Sequence, residues 1–268
     1  MGKFDGFLIL SDFDATFTSA KTGNIPRKNI DALKYFESEG GLFSICTGRT
    51  FLGFHKYSPE YINAPVLLAN GALCYDYMKK ERVFFLGIRE ENGASAVKKI
   101  ADEFPKASIE LYPLNKSFVI HPSEKTAAHL DGQSIPWEET DDPYKVETPW
   151  QKIMIDATGF SMELQKFCSE NFDDPVVIPT KGDFVEIVRK DMGKHVGAKA
   201  LAEKLGCLSD RWCACGDGYN DVTMLESAPY SFCPADGSDE AKKSAKKTVC
   251  PSSEGTVFGA VQYLDNIL

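Results

Sequence analysis

Short apolar runs, each ended by a polar residue, organise both ends of the chain. Phe7-Leu-Ile-Leu10 stops at Ser11-Asp12, Leu42-Phe-Ser-Ile45 leads into Cys46-Thr-Gly-Arg49, and Val66-Leu-Leu-Ala69 leads into Asn70-Gly71. Two later runs, Trp212-Cys-Ala-Cys215 and Tyr230-Ser-Phe-Cys233, end at Gly216-Asp217 and Pro234-Ala235. Runs of this kind predict strands buried on both faces, as in a parallel sheet. Helical patterns lie between them. Pro26 opens one in which Ile30, Leu33 and Phe36 recur before Gly40-Gly41. Ala198, Leu201, Ala202 and Leu205 form the apolar stripe of another, closed by Gly206.

Alternating strands and helices predict an α/β fold with a doubly wound parallel sheet, Rossmann-like in architecture, built from residues 1–84 and 183–268. Such sheets bind ligands beyond the carboxyl ends of their strands, which is where Asp12, Thr47, Asn70 and Asp217 fall. From about residue 85 to 182 the pattern changes to an inserted α+β domain. Its candidate strands are Ser117-Phe-Val-Ile120, Lys152-Ile-Met-Ile155 and Val176-Val-Ile178, with helical stretches near 92–104, 123–130 and 160–171. Pro136 to Pro149 reads as an acidic, turn-rich loop, and Phe184-Val-Glu-Ile-Val188 is expected to return the chain to the core.

Composition narrows the picture further. Of 268 residues, 43% are hydrophobic and 26% charged, which supports a packed core and excludes disorder. A net charge of -9 argues against an extended nucleic-acid surface, which needs clustered Lys and Arg. Lys242, Lys243, Lys246 and Lys247 are read as the solvated face of a helix. No apolar run approaches the roughly 20 residues of a membrane span, and the opening Met1-Gly-Lys-Phe-Asp lacks a secretory pattern, so a cytoplasmic location is expected. The eight cysteines are then expected to be free thiols, with Cys213 and Cys215 as buried strand residues.

The polar strand ends carry the chemistry. Asp12-Phe-Asp14 places two carboxylates on one side of the chain if the strand continues, and they repel unless a cation intervenes. Oxygen ligands of this type suit magnesium. Gly216-Asp-Gly-Tyr-Asn-Asp221 brings a second acidic cluster to another strand end, and a turn with a helix cap explains its glycines but not that convergence. Thr47-Gly-Arg49 offers a hydroxyl and backbone N–H groups, and Lys194 is a flexible point charge suited to phosphate oxygens. Each is weak alone. Together they supply a nucleophile, a metal site and a phosphate cradle.

These four segments, in this order, resemble the haloacid dehalogenase superfamily, and the insertion resembles that of its Cof-like, type IIB-capped branch. The resemblance covers nearly the whole chain, supported by Asn70-Gly-Ala72, Val185-Glu-Ile-Val188 and Glu254-Gly-Thr-Val257. It implies a phosphatase acting on a small phosphorylated metabolite, a sugar phosphate in class, through an aspartyl phosphate. Asp12 would be the nucleophile and Asp14 the general acid and base. Thr47, Gly48, Lys194 and Asn220 would hold the phosphoryl group. Mg2+ would be bound by Asp12, the backbone carbonyl of Asp14, Asp217 and, directly or through water, Asp221. In this family the insertion covers the site and supplies leaving-group contacts. Trp137, Trp150, Lys152 and Lys181 are candidates for that role, with core or surface roles favoured for each.

Two departures stand out. Ala15 occupies a position where the family usually has glycine, and alanine is expected to serve unless positive φ is required. His195 follows the lysine where glycine is common, and is read as a surface residue starting a helix. A phosphosugar mutase would use the same aspartyl phosphate, and a non-catalytic phosphosugar-binding protein would need no acid beside a nucleophile. No G-x-G-x-x-G follows the first strand, which argues against a dinucleotide-binding enzyme.

Overall fold

A computed structural model describes residues 2–54, 60–178, 183–207 and 209–268. The chain divides into two compact units, one comprising residues 1–48, 57–84 and 193–268, the other residues 49–56 and 85–192.

The first unit is α/β. Five strands form a parallel sheet in the spatial order Lys247–Val249, Tyr230–Pro234, Trp212–Cys215, Leu8–Ser11, Leu42–Ile45. Leu8, Leu10, Trp212 and Ala214 point to one face, where Ala198, Leu201, Met224 and Leu225 of two later helices pack on them. On the other face Phe7 meets Phe36 of the helix Arg27–Ser38, and Phe232 meets Tyr263 of the helix Thr256–Ile267. Helices on both faces make the sheet doubly wound, which is why four of its strands are largely apolar and buried, the exception being the edge strand Lys247–Val249. Val66–Leu68 continues the pattern beyond Leu42–Ile45 through a parallel bridge from Leu67 to Cys46. It then turns back antiparallel into Leu73–Asp76, followed by Glu81–Phe85.

The second unit is built on a six-stranded sheet in the order Val176–Ile178, Phe184–Val188, Ile153–Asp156, Ser108–Leu111, Ser117–Ile120, Trp137–Glu139. Neighbours are antiparallel except the last pair. Ile109, Leu111, Ile153, Ile155, Val185 and Ile187 form its apolar core with Val97, Ile100, Leu164 and Cys168 from two helices.

Three expectations are corrected. Phe184–Val188 does not return to the parallel sheet but pairs with Val176–Ile178 and Ile153–Asp156. Its glutamate alternates with Val185 and Ile187, a one-sided period-two pattern that suits an antiparallel sheet. The loop from Pro136 to Pro149 contains the edge strand Trp137–Glu139. The four lysines share no helix: Lys242 and Lys243 lie in Asp239–Ser244, Lys246 lies beyond it, and Lys247 begins an edge strand. The Lys246 ammonium donates to the Ala228 and Pro229 carbonyls at 2.6 and 2.7 Å.

All eight cysteines are free, and Cys213 and Cys215 are wholly buried in their strand. Among the described residues, no helix is long and apolar enough to cross a membrane.

Candidate active site

At the carboxyl end of Leu8–Ser11 the chain leaves the strand at Asp12 and tightens into a turn over Phe13–Phe17. Asp12 is buried while Asp14 is exposed, so the two carboxylates are not neighbours on a continuing strand as the sequence spacing predicts. The turn requires a left-handed residue at Ala15, where φ is +57°. An L-residue other than glycine pays roughly 1–2 kcal/mol there, so alanine is held under strain.

The second acidic cluster follows Trp212–Cys215. Asp221 folds back over the turn, its Oδ2 accepting from the backbone N–H groups of Asp217 (3.0 Å) and Gly218 (2.9 Å). Gly216 makes room for this, since a Cβ there would stand 2.4 Å from the Asp221 side chain. The Thr16 hydroxyl, wholly buried, donates to Asp217 Oδ1 at 2.5 Å, tying the two acidic segments together. Thr16 is absent from the site residues the sequence singles out, although it lies in the same segment as Asp12.

Lys194, the first residue of the helix Lys194–Lys204, is fully buried between the clusters. Its ammonium donates to Asp12 Oδ1 at 2.5 Å and to Asp221 Oδ1 at 2.6 Å. One carboxylate oxygen from each of Asp12, Asp217 and Asp221 lies within 4.8 Å of the others, close enough to share an ion. Asp14 adds no side-chain oxygen to this group. Among the described residues, these three carboxylates cluster around the Lys194 ammonium. Burial pushes the Asp12 carboxyl up to about 8, with Asp221 and Asp217 adding to the rise against the opposing pull of Lys194. Burial likewise raises Asp217 to about 6, with Asp221 and Asp14 contributing. Lys194 is held firmly protonated by Asp12 and Asp221, against burial. A hard divalent cation with oxygen ligands fits this donor set and its shortage of positive charge.

Thr47 is buried at the end of Leu42–Ile45, its N–H bonded to the Leu67 carbonyl at 2.9 Å. Asn220 donates from Nδ2 to Asn70 Oδ1 at 3.1 Å, and Asn70 Oδ1 lies 3.2 Å from where a Gly48 Cβ would stand. The structure therefore gathers Asp12, Thr47, Gly48, Lys194, Asn220, Asp217 and Asp221 around the strand ends of one unit, with Asp14 exposed on the adjoining turn. His195 is half-buried rather than a surface residue, and its Nδ1 is buried without a hydrogen-bond partner among the described residues. Of the leaving-group candidates, Trp150 is a core residue of the second unit and Trp137 donates to Asp131 at 3.2 Å. Lys152 pairs with Glu186 at 3.3 Å, and Lys181 lies outside the described residues.

A doubly wound sheet carrying an acidic centre at its strand ends, closed by a buried lysine, defines an α/β enzyme of phosphate-handling type. A family model for haloacid dehalogenase-like hydrolases matches residues 9–260, and the chain belongs to that family. It is 24% identical to a Thermoplasma volcanium protein named phosphoglycolate phosphatase, over 97% of this chain and 99% of that one. A solved haloacid dehalogenase-like hydrolase from Bacteroides thetaiotaomicron shares the fold at a TM-score of 0.82, with 21% identity over 98% of this chain and 99% of its own. A solved subclass IIB sugar phosphatase of the same superfamily also superposes at 0.82, with 19% identity over 97% and 99%.

Proposed function

We propose that this chain is a magnesium-dependent phosphatase that hydrolyses a small phosphorylated metabolite, a sugar phosphate in class, through an aspartyl phosphate on Asp12. The observation that carries this reading is the Lys194 ammonium bridging Asp12 and Asp221, with Asp217 beside them. A carboxylate positioned by a buried lysine is a nucleophile whose approach to an anionic phosphate is electrostatically tolerated.

In the first step an Asp12 carboxylate oxygen attacks phosphorus, the bond to the leaving oxygen breaks, and Asp14 delivers a proton to that oxygen. In the second step Asp14 accepts a proton from water, whose oxygen attacks the aspartyl phosphate. This releases orthophosphate and regenerates the Asp12 carboxylate. The exposure of Asp14 suits a group that exchanges protons with leaving group and water. Thr47, the Gly48 N–H, Lys194 and Asn220 hold the phosphoryl oxygens in line. The carboxylates of Asp12, Asp217 and Asp221 with the Asp14 carbonyl would hold Mg2+, which when bound neutralises charge on the phosphoryl group.

The test is a panel of sugar phosphates and other phosphorylated metabolites incubated with the purified protein and magnesium, measuring free orthophosphate. Release from at least one sugar phosphate is expected. Migration of the phosphoryl group to another hydroxyl without release would make the protein a mutase and overturn the reading.

A further inference from the structure

Between Val66–Leu68 and Leu73–Asp76 the chain reverses through Ala69, Asn70 and Gly71, whose φ angles are +48°, +54° and +90°. Asparagine and glycine tolerate the left-handed region, and hairpin turns commonly use them there. Turn geometry does not account for two further facts. Ala69 adopts the same region with no polar side chain to compensate, and the turn is buried, Asn70 being only 6% exposed. Hairpin turns normally run over the surface, so a strained and buried one is held in place by its surroundings.

Those surroundings are the three segments assigned to the phosphate. The Asn70 N–H donates to the Thr47 carbonyl at 2.9 Å. The Asn70 carboxamide sits over Gly48, where a Cβ would fall 3.2 Å from Oδ1 and 3.5 Å from Nδ2, and the same Oδ1 accepts from Asn220 at 3.1 Å. Gly71 meets the start of the helix carrying Lys194. A Cβ on Gly71 would stand 2.9 Å from the Gly193 carbonyl oxygen, and one on Gly197 would stand 2.7 Å from the Gly71 Cα. Lys194 lies between Gly193 and Gly197, so backbone-to-backbone contact fixes its helix against this turn.

We infer that the Ala69–Gly71 turn sets the spacing of the phosphate-holding groups, with Asn70 as a positioning residue whose carboxamide fixes the Thr47-Gly48 segment relative to Asn220. This inference rests on the phosphatase reading above. It makes Asn70 a determinant of phosphate affinity and of turnover for every substrate, since all share the phosphoryl group.

The test compares Asn70→Asp and Asn70→Gly with the parent, all as full chains with magnesium, using p-nitrophenyl phosphate as substrate and orthophosphate as inhibitor. Aspartate keeps the acceptor for Asn220 and tolerates the left-handed turn but places a negative charge beside the phosphoryl site. Glycine relaxes the turn and removes the carboxamide. Both variants should melt within about 5 °C of the parent. Both should lose roughly 10- to 100-fold in kcat/KM, the range for misplacing one hydrogen bond from the Thr47-Gly48 segment or Asn220 to the charged phosphoryl group. Orthophosphate inhibition should weaken in both, most in Asn70→Asp, while the magnesium concentration for half-activation stays unchanged. Parent-like kinetics and inhibition in both variants of an active parent would overturn this inference alone. Activity that falls in step with melting temperature would assign Asn70 to folding and overturn it as well. A parent that releases no phosphate from any substrate would defeat the phosphatase reading, and this inference with it.

Discussion

In the parallel unit the polar chemistry sits in turns just past the ends of strands, whereas in the inserted unit it sits in or beside the strands of one sheet. Asp12, Thr47, Asn70 and Asp217 each lie just past the end of an apolar strand, with the Asp12 and Thr47 N–H groups still bonded to the Cys215 and Leu67 carbonyls of neighbouring strands. In the antiparallel sheet, Glu110 is wholly buried, accepts from the Tyr112 hydroxyl, and accepts from His129 Nδ1 at 2.9 Å. Lys152 bonds Glu186 at 3.3 Å, and Gln133 reaches the far nitrogen of His129 at 2.7 Å. The difference follows from how each sheet is covered. A parallel sheet buried on both faces leaves only its edges for charge, and its strand ends bring distant residues together. A sheet whose side chains alternate can carry charge along one face, provided the charges satisfy one another. Among the described residues the inserted unit pairs its buried charges, while the carboxylates of Asp12, Asp217 and Asp221 in the parallel unit cluster around the Lys194 ammonium, an arrangement suited to binding rather than to stability.

The comparison predicts that charge removal costs chemistry in one unit and stability in the other. The largest effect is expected at Asp12→Asn, which removes the nucleophile. Turnover should fall by at least on the order of 10⁴-fold, with no phosphoenzyme in acid-quenched samples. Asp14→Asn should cost about 10²–10⁴-fold, as for a general acid or base. Substantial turnover by purified Asp12→Asn protein would contradict the assignment.

Metal removal comes next. Excess chelator should abolish orthophosphate release and added magnesium restore it, while Asp217→Ala should lose about 10²–10³-fold in kcat/KM and need more magnesium. Full activity in metal-stripped protein would be incompatible with the carboxylate centre.

In the inserted unit, Lys152→Met or Glu186→Gln each removes one member of a buried ion pair and should cost about 1–3 kcal/mol of unfolding free energy in urea titrations. The double variant Lys152→Met/Glu186→Leu should recover much of that loss, because it leaves neither charge unpaired. Hydrolysis of p-nitrophenyl phosphate per folded molecule should stay at the parent level in all three. A loss of turnover with stability intact would place this pair in the chemistry and erase the contrast.

The last effect is the pH dependence of the metal-free protein. Burial raises Asp12 to about 8 and Asp217 to about 6, both above the unfolded value of 3.8. The folded state therefore binds more protons than the unfolded state between about pH 4 and 8, so stability is greatest below that window and declines as pH rises through it. The slope should not exceed about 1.4 kcal/mol per pH unit for each proton. Magnesium, which competes with those protons, should flatten the melting-temperature profile. A metal-free melting temperature that climbs from pH 5 to 8 would reverse the sign and refute the account.

The sequence by itself determined four of the five strands of the parallel sheet, because burial on both faces leaves an apolar run and the residue ending each run marks a strand end, whereas the exposed edge strand Lys247–Val249 carries no such run. It therefore yielded Asp12, Thr47, Lys194, Asp217 and Asp221 as a converging set, although each motif alone was weak. What only the tertiary structure decided is long-range or backbone in origin. The Thr16 bond to Asp217 spans 201 residues. The left-handed turns at Ala15, Ala69 and Asn70 leave no mark in side-chain periodicity, which records faces and not the sign of φ. The exposure of Asp14 follows from one such turn and the burial of Asn70 from packing around another. Phe184–Val188 joined the inserted sheet because strand partners are chosen by alternating faces and register, which a five-residue segment does not specify on its own.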